Sequence, residues 1–224
     1  MKCPRCVSEI SYGALVCGEC GFSILDQESL LGNDAVCLAR VTNANHAFSD
    51  AELAQLDAAL DQFEAQFPQL FFAVYSAALP SSMKLREFAF WLLNRAAIPA
   101  LEITRPNENG CLLILEETSG EAALVVGYLL ECYFPDVELR KILSKGKRAW
   151  GRGKMVEGVL AVIENFSIAL VKKSLEAAKN PVQFQPVIHP EPPMPEFQRL
   201  HDGMPMDSSL VNGEHDSPSK EHSP

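Results

Sequence analysis

At 224 residues, 47% of them hydrophobic, the chain has apolar material for one packed domain of ordinary size plus smaller appendages. A formal net charge of −10 excludes bulk electrostatic attachment to nucleic acid or to an anionic membrane, since the average surface is repelled by either polyanion. No apolar run reaches the roughly 18–20 residues that span a bilayer, and Met1 to Cys6 offers neither an apolar signal core nor a cleavage site, so a cytoplasmic protein is expected.

Seven cysteines in a reducing compartment suit metal ligation better than disulfides, and an odd number prevents complete internal pairing. Cys3-Pro4-Arg5-Cys6 and Cys17-Gly18-Glu19-Cys20 are two C-x2-C knuckles separated by Val7 to Val16, a segment short enough to fold back through Gly13. Four thiolates then converge on one tetrahedral Zn²⁺, with no position left for a catalytic water. The expected element is a structural zinc ribbon over 1–24, its knuckles eased by Gly18 and Gly21. Lys2 and Arg5 are balanced there by Glu9 and Glu19, which gives the ribbon no electrostatic footprint for phosphate and favours a protein contact or a purely structural role.

A connector at 25–34 leads to the β-branched run Ala35 to Thr42, expected as a first strand. Ser49 as N-cap, Glu52 as capping-box partner, and Phe48 with Leu53 as staple start a helix whose buried face is Leu53, Leu56, Leu60, Phe63 and Phe67. Pro68 ends it, and Leu70 to Tyr75 reads as a strand covered on both sides. A second helix carries Leu85, Phe88, Ala89, Leu92 and Leu93 and stops near Pro99. Cys111 to Leu115, the turn at Ser119-Gly120, and Ala122 to Gly127 predict a hairpin, followed by helices over about 136–150 and 154–178. Strands alternating with helices, plus one hairpin, predict an α/β fold over 35–179: a small mixed sheet sandwiched by helices. From 180 to 224 the prolines and the Ser, Asp, Glu and His residues predict a disordered acidic tail, whose histidines His189, His201, His215 and His222 are too far apart to preorganise a metal site.

The segment from Phe48 to Ala178 resembles the TPM domain family, which includes a thylakoid-lumen protein of photosystem II repair with acid phosphatase activity and many bacterial proteins. The resemblance rests on Phe48-Ser49-Asp50 opening a helix, on Leu85 to Arg95, on Asn109-Gly110 leading into the buried run to Leu115, and on Gly127-Tyr128-Leu129-Leu130-Glu131 with Asp136. Three features depart from the family pattern: Glu117 to Gly120 stands where an aspartate-arginine pair is usual, Leu129 replaces a glycine, and no glycine closes the second helix near Ile98. The resemblance implies a divalent-metal phosphatase in which Asn109, Glu131 and Asp136 would hold Ca²⁺ or Mg²⁺, while the departures put that chemistry in doubt. The plainer reading has Asp136 cap the next helix, Glu131 solvated and Asn109 in a loop.

Arg140, Lys141, Lys145, Lys147, Arg148, Arg152 and Lys154 form a basic run with Trp150 inside it. It predicts either an anion or nucleic-acid surface with the indole as stacking platform, or a solvated helix face that neutralises the acidic helix of Asp50, Glu52, Asp57, Asp61 and Glu64. No nucleophile elbow, Walker loop or dinucleotide fingerprint occurs. The expectation is a bacterial zinc-binding interaction module whose partner is another protein. Its alternatives are the phosphatase implied by the resemblance and nucleic-acid binding through the ribbon and basic helix.

Overall fold

The computed structural model describes residues 2–10, 14–32, 36–44, 46–80, 83–96 and 107–184. They form an α/β fold built on a four-stranded mixed sheet of β1 (Val41–Asn43), β2 (Phe71–Ala77), β3 (Gly110–Glu116) and β4 (Glu121–Val126), in that spatial order. β1, β2 and β3 run parallel, and β4 returns antiparallel to β3. The helices are α1 (Ile24–Leu31), α2 (Asp50–Gln66), α3 (Leu85–Arg95), α4 (Asp136–Trp150) and α5 (Met155–Lys179).

The continuous apolar runs of β2 and β3 are buried on both faces, as strands inside a helical sandwich must be. Alternation divides them. Phe72, Val74, Cys111 and Leu113 pack with Leu56, Leu60 and Phe63 of α2 and Phe166 of α5, whereas Phe71, Ala73, Leu112 and Ile114 pack under Leu85, Phe88, Ala89 and Leu92 of α3. Phe166 sits centrally, 5.8 Å from the Phe72 ring and 4.8 Å from Phe134. Two successive parallel crossovers that step the same way across a sheet and lie on opposite faces have opposite hands, so one of this pair departs from the right-handed rule.

Local chemistry starts α2 as expected. The Glu52 carboxylate accepts from the Ser49 N–H at 2.9 Å and from its hydroxyl at 2.7 Å, and Phe48 is buried beside Leu53. Other expectations change. The strand predicted over 35–42 is confined to Val41–Asn43, because Leu38 turns into the core beneath α3 and Arg40 turns out to Asp57 and Asp61. Arg40 thus neutralises the acidic helix α2, and among the described residues no α4 cation is ion-paired with it. The stretch read as a connector contains α1, whose Gln27 is buried. Pro181–Phe184, inside the predicted tail, forms a short 3-10 turn that stacks Phe184 on Tyr133 at 5.1 Å. The remainder of the tail with its histidines, Gly13 and Ile98 lie outside the described residues. Among the described residues no helix is long and apolar enough to cross a membrane.

Candidate metal centre and carboxylate pocket

The two knuckles are built alike. The Cys3 N–H donates to the Ser8 carbonyl at 2.8 Å and the Val7 N–H to the Cys3 carbonyl at 2.9 Å; Cys17 with Phe22, and Gly21 with Cys17, repeat both bonds at 2.8 and 2.9 Å. Such a turn needs a left-handed residue just after its second cysteine. Gly21 supplies it at φ 69° without strain, but in the first knuckle the β-branched Val7 is held at φ 67°. Gly18 has no positive φ and so contributes less than its sequence position suggested.

The knuckles bring the Sγ atoms of Cys3, Cys6, Cys17 and Cys20 within 4.8 Å of one another, with Cys3 to Cys20 at 3.5 Å and Cys6 to Cys17 at 3.7 Å. Four sulfurs at bonds of about 2.3 Å around a tetrahedral ion lie about 3.8 Å apart, so this donor set fits such an ion. Among the described residues it is the only group of three or more Cys, His, Asp or Glu ligands close enough to share one.

The cluster is seated on the α/β domain through a buried ion pair. The Arg5 Nε and Nη2 donate to the two oxygens of Glu87 on α3 at 2.8 and 3.0 Å, and the Gln27 amide adds a third bond at 3.0 Å. The Glu87 side chain is 5% exposed, and the Arg5 hydrogen bonds hold its carboxyl below the ordinary value. The guanidinium also lies over the Phe22 ring at 5.3 Å, and Phe22 meets Phe90 of α3 edge-on. The two cations that the sequence balanced against Glu9 and Glu19 therefore point at the domain.

Lys2 is the second contact. Its backbone N–H donates to Glu131 Oε2 at 3.0 Å and its ammonium to the Glu131 carbonyl at 3.4 Å. Burial pushes the Glu131 carboxyl above its ordinary value, partly offset by Lys2. Asp136 is the first residue of α4, after Pro135 as N-cap, so it does not cap the helix as the plainer reading held. Arg86 meets its Oδ1 at 2.5 Å, and Arg140 lies against Oδ2 without hydrogen-bond geometry. Glu131 and Asp136 do share a cavity, with Lys2 and Arg86, but its volume is about 30 Å³, and Asn109 does not line it. Of the three residues that the resemblance implies, the structure brings Glu131 and Asp136 together beside two protein cations and leaves Asn109 apart.

On α4, Trp150 is a packing residue and not a free platform. Its indole N–H donates to the Met155 carbonyl at 3.1 Å, and the ring fills the space beside Gly146 and Gly158, where an added Cβ would lie 2.5 and 2.1 Å from it. Glu87 and Arg86 were missed in the sequence because what engages Glu87 comes from far along the chain, Arg5 of the ribbon and Gln27 of α1. A carboxylate four residues before a tryptophan on a helix this apolar was the available signal.

Two solved structures are similar. One is the N-terminal domain of a protein from P. gingivalis, with 23% identity, 61% of this chain and 83% of that chain covered, and a TM-score of 0.48. The other is the N-terminal domain of a Corynebacterium glutamicum protein, with 16% identity, 59% and 79% covered, and a TM-score of 0.46. No curated protein matches the chain. The family model described as TPM domain, named for a TPM phosphatase, matches residues 41–167, more than half of the chain, which therefore belongs to the TPM domain family.

Proposed function

We propose that this protein is a zinc-stapled interaction module: Cys3, Cys6, Cys17 and Cys20 hold one structural Zn²⁺, and the TPM domain binds another protein without catalysing a reaction. The observation that carries the non-catalytic reading is that Glu131 and Asp136, the carboxylates to which the family resemblance points, are engaged internally, Glu131 by Lys2 and Asp136 by the charges of Arg86 and Arg140. Four sulfur donors close the coordination of a zinc ion, and their soft thiolate chemistry supports that metal over a hard cation. When bound, zinc would supply a fixed geometry for the two knuckles and no open position for a substrate.

The test is metal analysis and phosphomonoester assay on one preparation. About one zinc per chain, with no turnover in added Ca²⁺ or Mg²⁺, is expected. Metal-dependent turnover that disappears in Asp136→Ala while the fold survives would replace this reading with the phosphatase.

A further inference from the structure

β4 is an edge strand, and its free edge lies in a groove. The Gly127 N–H bonds to the Gly110 carbonyl at 2.8 Å, which fixes the phase of the antiparallel ladder. By alternation, residues 121, 123 and 125 bond to β3, and Ala122 and Leu124 direct their N–H and C=O groups away from the sheet. Among the described residues no backbone bond engages those outward groups. They lie in a groove of about 740 Å³ between the start of α3 and the length of α4.

The groove has cations on both walls. Lys84 and Arg86 come from α3, and Arg140 and Lys147, two helical turns apart, from α4. Against these four stand Glu121, Asp136, which Arg86 and Arg140 share, and the buried Glu87, which Lys84 meets at 3.6 Å. Lys147 has no ion-pair partner among the described residues. On a chain of net charge −10 this is a local reversal of sign. The floor, from Ala122, Leu124, Leu139 and Leu143, is apolar.

Resting on the interaction-module reading, we infer that this groove takes an extended acidic peptide segment of a partner protein, which adds to β4 as a fifth strand. The outward N–H and C=O groups of Ala122 and Leu124 supply main-chain pairing, and the four cations select carboxylate side chains. The same pairing satisfies the exposed edge, which the protein otherwise leaves to its flanking helices. A nucleic-acid strand would use the cations but not the backbone edge.

The experiment uses the zinc-loaded full chain and fluorescein-labelled heptapeptides of alternating Glu and Val or alternating Lys and Val, followed by anisotropy. The Glu-Val peptide is expected to bind saturably and to weaken with salt, and the Lys-Val peptide is not expected to bind. Ala122→Pro deletes one outward donor without touching the bonds to β3, and it should weaken binding about tenfold with an unchanged melting temperature. If that variant does not fold, Lys147→Glu, on an exposed helix face, should also weaken binding. Absence of binding, equal binding of both peptides, insensitivity to both variants, displacement by an RNA oligonucleotide, or self-association in place of peptide binding would each overturn the inference. Zinc content and the Ca²⁺ response of the same preparation separate the two failures. Zinc-loaded, calcium-silent protein that ignores the peptide sinks only the groove, whereas calcium binding with turnover sinks the module reading itself.

Discussion

The cysteine cluster and the Glu131–Asp136 pocket are two places among the described residues where ligand-type side chains gather, and they are built in different ways. At the first, four sulfur donors from two matching turns converge, and the one cation within the knuckle, Arg5, is hydrogen-bonded to Glu87. At the second, two carboxylates converge together with Lys2, Arg86 and Arg140, so the charge a metal would bring is already supplied. The number of donors alone does not make an ion site. What matters is whether the surrounding protein leaves those donors in need of a cation.

The strongest way to break the comparison is at the cluster. Cys17→Ser should reduce zinc from about one per chain toward none and lower stability by about 4 kcal/mol or more, because the ribbon and its grip on α3 are lost together. Full zinc occupancy in that variant, read by elemental analysis, would remove the cluster from consideration. Next is the link between the regions. Arg5→Ala leaves Glu87 buried without its main partner and should cost about 2–3 kcal/mol in urea unfolding, discounted from about 3–5 kcal/mol for a fully buried pair because Arg5 is one-third exposed. Arg5→Ala with Glu87→Gln should recover part of that loss, and a double variant no better than Arg5→Ala would show the pair to be uncoupled.

The two knuckles allow a finer comparison. Nothing lies within 4 Å of a Cβ built on Gly21, so Gly21→Val pays only for backbone strain, about 1–2 kcal/mol. Val7→Gly relieves the same strain and should gain about 0.5 kcal/mol after the added freedom of the unfolded chain is counted. Opposite signs in chelator-challenge assays are expected, and equal losses would contradict the matched geometry.

The smallest effect is with pH. Glu87 is held below the ordinary carboxylate value of 4.5 by Arg5, and Glu116 falls to about 2 under hydrogen bonds led by Ser119, so the stability both contribute is complete above about 4.5 and is lost as pH falls toward their folded values. Glu131 is raised by burial and contributes in the other direction, favouring the folded state as it protonates. Glu87→Gln should therefore flatten the acid limb of a stability profile, and Glu131→Gln should not.

Much of this was legible along the chain because its causes are local. The C-x2-C spacing, the Ser49 and Glu52 capping box, the apolar faces of α2 and α3 and the hairpin at Ser119-Gly120 all act within a few residues. The contacts that seat the ribbon on the domain join positions 82 and 129 residues apart, Arg5 with Glu87 and Lys2 with Glu131, and no periodicity encodes them. The strain at Val7 lay between. Aligning the two knuckles puts it opposite Gly21, and that alignment alone exposes a valine where a glycine conformation is required.

The central claim is that the cluster binds a metal and the carboxylate pocket does not. Calorimetric titration of the zinc-loaded protein with Ca²⁺ and Mg²⁺, beside Asp136→Ala, tests it most directly. The account predicts no saturable heat from either protein; stoichiometric binding to the native chain that is lost in Asp136→Ala would contradict it.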